Sequence, residues 1–461
     1  MLRFFKKFLK THANMKKLII LSLISSMLLW SCTHEPVINT LDSELKSLIA
    51  ANAATGSTNY YIFPESNDFA NIPGQDPANK LNSAKVNLGN MLFFETAVGL
   101  DGMHAEGSKS YSCGSCHIPS AGFRPGAKQG IADGGVGYGK NGDGRQLYKD
   151  IYAPSEIDAQ GIRALSVMNV AYVKNTLWSG QFGGKNVNTG TEKVWGQLDP
   201  ASAVNKLGYE ALEGQNIEGL KTHRMRFNLD VVSSLGYRRY FDSAFPEIPD
   251  SARYTPTTAS FALSAYLRTL FSSKAPFQNW LKGKDNALTD YEKKGAILFF
   301  GKAGCVRCHR EPNLGSMQFQ AIGVKDLIDA GGLKTSTLDN KNIGRGGFTT
   351  KTDDMFKFRV PQLYNLMEGS FYFHGSSKKT LREVVDYFNK GVPENTRVPK
   401  SQISPYFTPL ELTEQEVSDI TAFLVNGLHD PELQRYLPKF ILSGDCFPDN
   451  DPLSQYELGC K

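Results

Sequence analysis

Two copies of one short motif constrain this chain more than any other feature. Residues 113–117 and residues 305–309 each place two cysteines three positions apart, with a histidine directly after the second cysteine. This spacing is typical of c-type haem attachment, in which each thiol forms a thioether with the porphyrin and the histidine binds the iron. The sequence therefore predicts two covalently bound haem c groups. The attachment residues and iron ligands are Cys113, Cys116 and His117 for the first haem, and Cys305, Cys308 and His309 for the second.

Paired cysteines have two other common uses. A thioredoxin-like redox pair needs a βαβ setting, and no such pattern surrounds either motif. A zinc site built from four cysteines usually has its two pairs close together in the chain, whereas these pairs stand at residues 113–116 and 305–308. Zinc would also leave the two trailing histidines unexplained, so haem attachment is the better interpretation.

The first 31 residues resemble a bacterial export signal. Lys16 and Lys17 precede an apolar run over residues 18–30, which is too short to span a bilayer. The sequence ending at Cys32 resembles the cleavage site of bacterial lipoproteins, so we expect residues 1–31 to be a lipoprotein-type signal peptide and Cys32 to be lipidated. These features predict an exported, periplasm-facing protein that is anchored to a membrane through its lipid.

The charge balance argues against a nucleic-acid partner. The chain has 51 Lys and Arg residues against 46 Asp and Glu residues, but six of the basic residues and none of the acidic ones lie in residues 1–31. The mature chain is therefore close to neutral. Nucleic-acid binding needs a basic surface, so we expect no nucleic-acid partner.

Two cysteines near the C-terminus remain after the motifs and Cys32 are assigned. Cys446 and Cys460 would meet an oxidising compartment after export. We expect a disulfide between them, with two free thiols as the alternative. Closing a loop of this size stabilises a protein by roughly 3 kcal/mol in the chain-entropy model.

An internal repeat indicates the fold class. Gly-Asn-Met-Leu-Phe-Phe at residues 89–94 precedes the first motif, and Gly-Ala-Ile-Leu-Phe-Phe at residues 295–300 precedes the second. Each segment reads as a helix that ends in aromatic residues beside its haem. No segment alternates for long enough to predict a core sheet. The prediction is a mostly α protein with two cytochrome-c-like helical domains, each carrying one covalently attached haem.

Helix and loop signals divide the chain further. Capping boxes at residues 289–292 and 413–416 mark helix starts, and residues 41–51, 261–271 and 380–388 have helical periodicity. Glycine-rich residues 122–143 and the polar stretch 329–354 read as loops. The predicted organisation is a signal peptide (1–31), a tether and N-terminal arm (32–75), a first haem domain (76–273), a linker (274–288), a second haem domain (289–440) and a C-terminal tail (441–461).

The order of these motifs resembles a known family. Gly-x-x-Leu-Phe-Phe, Cys-x-x-Cys-His, Asn-Val-Ala-Tyr, Trp-x-Gly, a second Cys-x-x-Cys-His, Phe-His-Gly and Thr-Leu-Arg-Glu-Val-Val follow one another between about residues 85 and 428. This order resembles the bacterial dihaem cytochrome c peroxidases, which include methylamine-utilisation-type enzymes. The resemblance implies that the first haem binds hydrogen peroxide and that the second receives electrons from a small cytochrome c or cupredoxin.

The resemblance also implies roles for two further side chains. Trp178 matches the tryptophan that lies between the two haems in the family, although a lone tryptophan more often packs in a core. His374 matches a family histidine beside the second haem, where it would act as a structural or propionate partner. In relatives that need reductive activation, a histidine after the first motif caps the iron. Residues 118–145 contain no histidine, which resembles the methylamine-utilisation branch with its five-coordinate first haem.

The acid–base residue at the first haem departs from the family pattern. The family usually places a glutamine and a glutamate where this chain has residues 192–202, but the matching positions fall near Lys193 and Ser202. Our candidates for the distal acid or base are His223, Glu192 and Glu213. His223 has two alternatives, as an iron ligand or as a structural histidine.

The sixth ligand of the second haem departs as well. The resemblance places the family's methionine or tyrosine at Phe388, which cannot bind iron. Tyr387 lies one residue away, about 100° around the helix, and is our candidate sixth ligand. Met317, Met355 and Met367 are alternatives, each of which would equally suit a core.

Calcium is a third departure. The family commonly holds a calcium ion between its domains with an asparagine side chain and backbone carbonyls. The matching position here is Arg163, whose positive charge opposes a cation. We therefore do not expect calcium at that site.

Three functions are compatible with these features. The leading hypothesis is a peroxidase that reduces hydrogen peroxide at the first haem with electrons delivered through the second. A variant in the same class oxidises a protein or organic substrate at a distance, driven by peroxide. From a different class, the protein would be a dihaem electron carrier or redox sensor without peroxidase turnover.

The missing capping histidine generates a spectroscopic prediction. We expect a pyridine haemochrome assay to count two haems in the matured protein, and the first haem to be high-spin in the oxidised resting state. Electron paramagnetic resonance and electronic spectra check the spin state. An oxidised spectrum in which both irons are low-spin would contradict an open first haem.

Overall fold

Helices dominate the architecture. The structure is a computed structural model that describes residues 40–460; the predicted signal peptide and the lipidated Cys32 lie outside the described residues. From Glu44 onward the described residues form one compact unit, which the following account concerns. The helices of the N-terminal half are α1 (Thr40–Asn52), α2 (Ser83–Phe94), α3 (Ala211–Thr222), α4 (Leu229–Ser234), α5 (Arg238–Ala244), α6 (Asp250–Arg253) and α7 (Pro256–Arg268).

The C-terminal half continues with shorter helices. These are α8 (Pro276–Leu281), α9 (Asp290–Phe300), α10 (Gly346–Thr349), α11 (Leu381–Lys390), α12 (Glu414–Ala422, extended by a π-helical turn over Phe423–Gly427) and α13 (Pro452–Glu457). The capping boxes predicted at Thr289 and Thr413 are confirmed, and a third at Thr380 begins α11. None of the described helices combines the length and apolar character needed to span a bilayer.

The strands of the described residues are short, with two residues each, and form only two small hairpin-like pairs. Strand β1 (Gly135–Val136) pairs antiparallel with β2 (Gln146–Leu147), and Gly135 lies opposite Leu147. Strand β3 (Phe319–Gln320) pairs antiparallel with β4 (Phe358–Arg359), and Phe319 lies opposite Arg359. The predicted mostly α fold without a core sheet is confirmed for the described residues.

The repeat detected in the sequence is a repeat in space. In α2, a Cβ atom on Gly89 would lie 1.9 Å from the Ala262 carbonyl oxygen of α7; in α9, a Cβ atom on Gly295 would lie 2.0 Å from the Asp419 carbonyl oxygen of α12. Both helix pairs therefore pack so closely that only glycine fits at the crossing. The α2–α7 and α9–α12 pairs are equivalent parts of a duplicated unit.

Each helix pair supports its own hydrophobic core. The first core surrounds Phe93, Phe94 and Tyr266, and the second surrounds Phe299, Phe300 and Phe423. The aromatic pair that ends each helix has almost the same geometry, with ring centroids 5.0 Å apart at residues 93 and 94 and 5.2 Å apart at residues 299 and 300. The predicted helices that end in paired aromatic residues are confirmed, and these rings are buried in the two cores.

The predicted linker, residues 274–288, takes part in packing. It contains α8, whose Phe277 and Trp280 are buried in the second core. An exposed connection would leave these rings in water, at a loss of about 1.5–3 kcal/mol for each large apolar side chain. The domain boundary itself stays a prediction, but this segment is an integral part of the second half.

The C-terminal tail closes against the first motif. Cys446 and Cys460 form the predicted disulfide. Inside the loop that it closes, the Pro448 carbonyl accepts a hydrogen bond from the Ser112 hydroxyl at 2.7 Å. Asp449 and Asp451 lie 3.1 and 3.2 Å from the buried Arg145 guanidinium, which belongs to the loop after the motif. The tail therefore packs against the segment that precedes Cys113 and stabilises it.

We predict that the disulfide contributes measurably to stability. A Cys446→Ser/Cys460→Ser double variant should lose roughly 3 kcal/mol of unfolding free energy, because the loop is no longer closed in the unfolded chain. Chemical denaturation followed by far-UV circular dichroism measures the change. A reductant should destabilise the wild type by a similar amount and leave the double variant unaffected; equal stability of the two proteins would contradict the prediction.

Candidate haem and peroxide site

Both motifs open on one continuous cavity of about 830 Å³. Each motif forms a single 3-10 turn, Cys113–Ser115 and Cys305–Arg307, and each histidine N–H donates to the carbonyl of the first motif cysteine at 3.0 Å. The cysteine and histidine side chains of both motifs line the cavity. The volume lies within the range of about 300–1,000 Å³ usual for cofactor pockets.

The two motif histidines are held in the same way. His117 Nδ1 lies 3.2 Å from the Phe123 carbonyl oxygen, and His309 Nδ1 lies 2.7 Å from the Leu314 carbonyl oxygen. Because a carbonyl can only accept, Nδ1 carries the proton in both rings and Nε2 keeps its lone pair. Burial lowers the pKa of each histidine to about 4, so both rings are neutral.

This arrangement is what an axial haem ligand requires. A metal-binding histidine typically donates its other ring nitrogen to a carbonyl, which fixes both the tautomer and the ring orientation. The ring of Phe93 lies 6.4 Å from that of His117, and the ring of Phe299 lies 6.3 Å from that of His309. The four motif cysteines are not disulfide-bonded. The residues present therefore fit two c-type haems, one per motif.

Trp178 lies on the cavity wall shared by the two motifs. Its indole N–H donates to the Arg163 carbonyl at 2.7 Å, and its own carbonyl accepts from the Arg359 N–H at 2.7 Å. The ring makes an edge contact with His374, with 6.1 Å between centroids. The structure thus puts Trp178 and His374 at the cavity, as the sequence analysis expected, and anchors Trp178 by its backbone and side chain.

His374 is fixed as a structural element of that wall. Its Nε2 lies 3.0 Å from Asp326 Oδ1, and its ring stacks on Phe358 with 3.7 Å between centroids. Asn395 and Arg397 donate to the same carboxylate. The ring is therefore held on one face and at one nitrogen, which suits support of the second haem site.

Of the three candidate acid–base residues, His223 is the one that lines the cavity. His223 caps the C-terminus of α3, and its Nδ1 lies 2.8 Å from Asp158 Oδ2. Burial alone would lower the pKa of His223, but the negative charge and the hydrogen bond of Asp158 raise it above the usual value. After burial, the charge of His223 also contributes to the lowered pKa of His117, and both residues line the cavity.

Glu213 and Glu192 are not positioned for acid–base work at the cavity. Glu213 is fully buried on another face of α3 and forms a two-pronged ion pair with Arg268, at 2.6 Å for the Nη2–Oε2 contact. Glu192 lies in an exposed turn and accepts from the Gly190 N–H at 3.0 Å. The ion pair with Arg268 holds the Glu213 carboxylate, and Glu192 does not line the cavity. The structure therefore does not support either residue as the acid or base.

Sequence reasoning missed two polar residues of the cavity. Gln215 and Glu218 line it from α3, the helix that His223 caps. Gln215 and Glu218 are three residues apart, and this spacing is the signal that could have found them, since such residues share a helix face. Lys221 lies 3.4 Å from Glu218 and balances its charge.

Tyr387 does not lie on the cavity wall. Its hydroxyl donates to the Ile322 carbonyl at 2.6 Å, and its ring packs on Phe407 with 5.0 Å between centroids. Phe388 lines the cavity instead. The register inferred from the sequence was therefore right, and a rotation of α11 that would present Tyr387 is absent. Met317, Met355 and Met367 do not line the cavity either.

We predict that Tyr387 is not an iron ligand. A Tyr387→Phe variant should keep the electronic and electron paramagnetic resonance spectra of the second haem, since only the hydrogen bond to Ile322 is lost, at about 0.5–1.5 kcal/mol of stability. A Phe388→Met variant, which adds a sulfur ligand on the cavity wall, should shift the same spectra towards low-spin iron. A changed second-haem spectrum in Tyr387→Phe would contradict the assignment.

Comparison with known proteins gives one consistent family. A family model described as di-haem cytochrome c peroxidase matches residues 83–286. The cytochrome-c peroxidase IdrP1 of Pseudomonas sp. (strain SCT) is 27% identical over 373 residues, covering 77% of this chain and 82% of the relative. The methylamine utilization protein MauG of Methylorubrum extorquens is 29% identical over 353 residues, covering 75% and 79%.

A solved structure shares the fold. The crystal structure of a MauG-like protein associated with microbial copper homeostasis superposes with a TM-score of 0.53 at 24% identity, covering 78% of this chain and 94% of that one. The family model covers the first motif, and the relatives extend over most of the chain. The chain is therefore similar, over most of its length, to proteins named as cytochrome c peroxidases and MauG, and its residues 83–286 match the di-haem cytochrome c peroxidase family model.

Proposed function

We propose that this protein reduces hydrogen peroxide at a haem held by Cys113, Cys116 and His117. Electrons would reach that haem through a second haem on residues 305–309, from a small periplasmic cytochrome c or cupredoxin. The observation that carries the proposal is the single cavity lined by both motif histidines and by Trp178. A haem held at this site would supply the binding and reduction of peroxide.

The protein's own contribution at the first haem would be orientation and proton transfer. His117, through its hydrogen bond to Phe123, would hold the iron from one side. His223 would accept a proton from peroxide at Nε2, because its Nδ1 proton is committed to Asp158. Asp158 is nearly buried and fixes both the tautomer and the direction of the ring.

The second haem would serve electron transfer. His309 would hold the iron of this haem, and Phe388 lines the cavity at the position where the family pattern expects another ligand. Trp178 would carry electrons between the two sites, since its backbone and indole are both fixed. These positions support an electron-relay role for Trp178 and a peroxide-reactive role for the first haem site.

A second candidate function is peroxide-driven oxidation of a protein or organic substrate at a distance. The observation that favours it is the absence of histidine from residues 118–145, together with similarity to a methylamine utilization protein. On the same grounds, we propose that this protein is of the methylamine-utilisation type. A carrier or redox sensor without turnover is the outcome if peroxide leaves the ferric Soret band unchanged.

The location is part of the proposal. Export through residues 1–31 and lipidation of Cys32 would anchor the protein to a membrane and face it towards the periplasm. A disulfide between Cys446 and Cys460 is consistent with an exported chain.

We predict that His223 is required for peroxide turnover. A His223→Gln variant should retain two haems but lose about 10²–10⁴-fold in kcat/KM for hydrogen peroxide, because a positioned acid–base group contributes that much. Stopped-flow spectroscopy and steady-state donor oxidation give the rates.

A matched control is available in the same protein. His104 is also a histidine paired with a carboxylate, Glu156 at 3.1 Å, and its side chain is similarly exposed, but it does not line the cavity. A His104→Gln variant should keep wild-type turnover. Undiminished turnover in His223→Gln would remove His223 from the mechanism.

A further inference from the structure

Among the described residues, three buried arginines on the cavity wall form no ion pair with an acidic side chain. One of them, Arg124, donates to the Ala121 and Leu366 carbonyls and lies 5.3 Å from the Tyr372 ring centroid; the other two, Arg163 and Arg359, share a pattern. Arg163 is 3% exposed and Arg359 is 6% exposed, and both line the cavity. Arg163 donates to the Ala127 and Pro125 carbonyls, and Arg359 Nε donates to the Leu177 carbonyl at 3.0 Å. Within residues 40–460, no Asp or Glu carboxylate forms an ion pair with either guanidinium.

Two other buried arginines of the protein are paired with carboxylates. Arg268 is paired with Glu213, and Arg145 lies within ion-pair distance of Asp449 and Asp451. Burial lowers the pKa of Arg163 to about 9 and that of Arg359 to about 10. A buried charge without a counter-charge is costly, so these two positions point to an anion that the cavity is built to hold.

The two arginines occupy equivalent places in the duplicated unit. Arg163 stands two residues before Leu165, and Arg359 stands two residues before Pro361; Leu165 and Pro361 both line the cavity.

The segments that follow the two arginines are also alike. Six residues after each arginine comes a fully buried asparagine with a left-handed backbone, Asn169 (φ 56°) and Asn365 (φ 52°). The Asn169 N–H donates to Leu270 at 2.7 Å, and the Asn365 N–H donates to Leu428 at 3.0 Å, just beyond α7 and α12. Each motif therefore has its own arginine.

We propose that Arg163 and Arg359 are carboxylate-binding residues, and that they hold the propionate groups of the first and second haem respectively. The inference rests on the proposed function, because it takes the two haems as given. A guanidinium offers parallel N–H donors that match a carboxylate, and haem is a cavity ligand that brings carboxylates with it.

This assignment explains the surroundings of Trp178. The indole N–H is bonded to the Arg163 carbonyl and the Trp178 carbonyl to the Arg359 N–H, so the tryptophan lies between the two arginine residues. Two unpaired positive charges beside the indole would oppose removal of an electron from it. Pairing with propionates cancels those charges and keeps the proposed electron relay usable. Arg163 and Arg359 are thus positioning residues for the haems and for Trp178.

The test is a redox titration of the holoprotein that resolves the two haems by spin state. In Arg163→Met, the first haem should become harder to reduce by about tenfold in its reduction equilibrium, or ~59 mV for one electron, because a positive charge that favours the ferrous form is lost. In Arg359→Met, the same shift should fall on the second haem. Lysine at either position keeps the positive charge but lacks the paired N–H donors of a guanidinium. It should therefore give a smaller shift in the reduction potential of the same haem.

Arg345 provides the matched control. It is a buried arginine that donates to the Ser179 carbonyl, close to Trp178, but it lies 3.8 Å from the Asp354 carboxylate and does not line the cavity. Arg345→Met should leave both reduction potentials near their wild-type values. If a cavity methionine variant does not mature, the lysine variant decides: a shift confined to one haem supports the proposal.

Several outcomes would overturn the inference. If the reduction potentials are unchanged in the methionine variants, the arginines hold no propionate. Where a methionine variant does not mature, an unchanged potential in the lysine variant at that position leads to the same conclusion. Equal shifts of both haems in each variant would overturn the assignment of one arginine per haem. Wild-type potentials that follow added acetate would identify an exogenous anion instead. Failure of the proposed function is seen separately, as a wild type without two haems or without a peroxide reaction.

Discussion

The hydrogen bond from each motif histidine to a backbone carbonyl is the interaction on which the site depends. The Phe123 and Leu314 carbonyls fix the Nδ1 proton, and through it the direction of the Nε2 lone pair. These carbonyls are held by the loops that follow each motif, and the loops are held by the two cores. The helices therefore matter to function because they bring two short motifs, distant in the chain, to one cavity.

Duplication explains much of the architecture. Gly89 and Gly295 allow the same close helix crossing, and Asn169 and Asn365 make the same left-handed connection. The two halves meet at Ser272, whose hydroxyl donates to the Asn365 side chain at 2.7 Å and lies 3.2 Å from the Asn169 amide nitrogen. The junction is thus polar and fully buried, which ties the geometry of one half to that of the other.

The halves differ where their proposed chemistry differs. On the first side, α3 presents His223 with Gln215 and Glu218, which are polar side chains able to handle protons. On the second side, α11 presents Phe388, while Tyr387 is turned into a small aromatic cluster. A polar distal face suits a reactive iron and an apolar one suits electron transfer, because water and protons are kept from the latter.

Features that depend on residues close together in the chain could be predicted from the sequence, whereas features that depend on long-range packing could not. The two haem motifs, the capping boxes of α9 and α12, the repeated glycine and aromatic pair, and the C-terminal disulfide partners were all predictable, because each depends on residues within a few positions or on cysteine chemistry. The repeated arginine and asparagine at residues 163–169 and 359–365 were also present in the sequence, but their meaning was hidden until burial showed that the arginines lack acidic partners.

Only the tertiary structure could choose among His223, Glu192 and Glu213, since all three are ordinary titratable residues by sequence. The choice follows from which side of α3 faces the cavity and from the ion pair with Arg268 that commits Glu213 elsewhere. The same holds for Tyr387 and Phe388, which differ by one step around a helix whose orientation is set by long-range packing. Local sequence determined which chemistry the chain carries, and three-dimensional packing decided which side chains can take part in it, because exposure, partners and direction are properties of the folded whole.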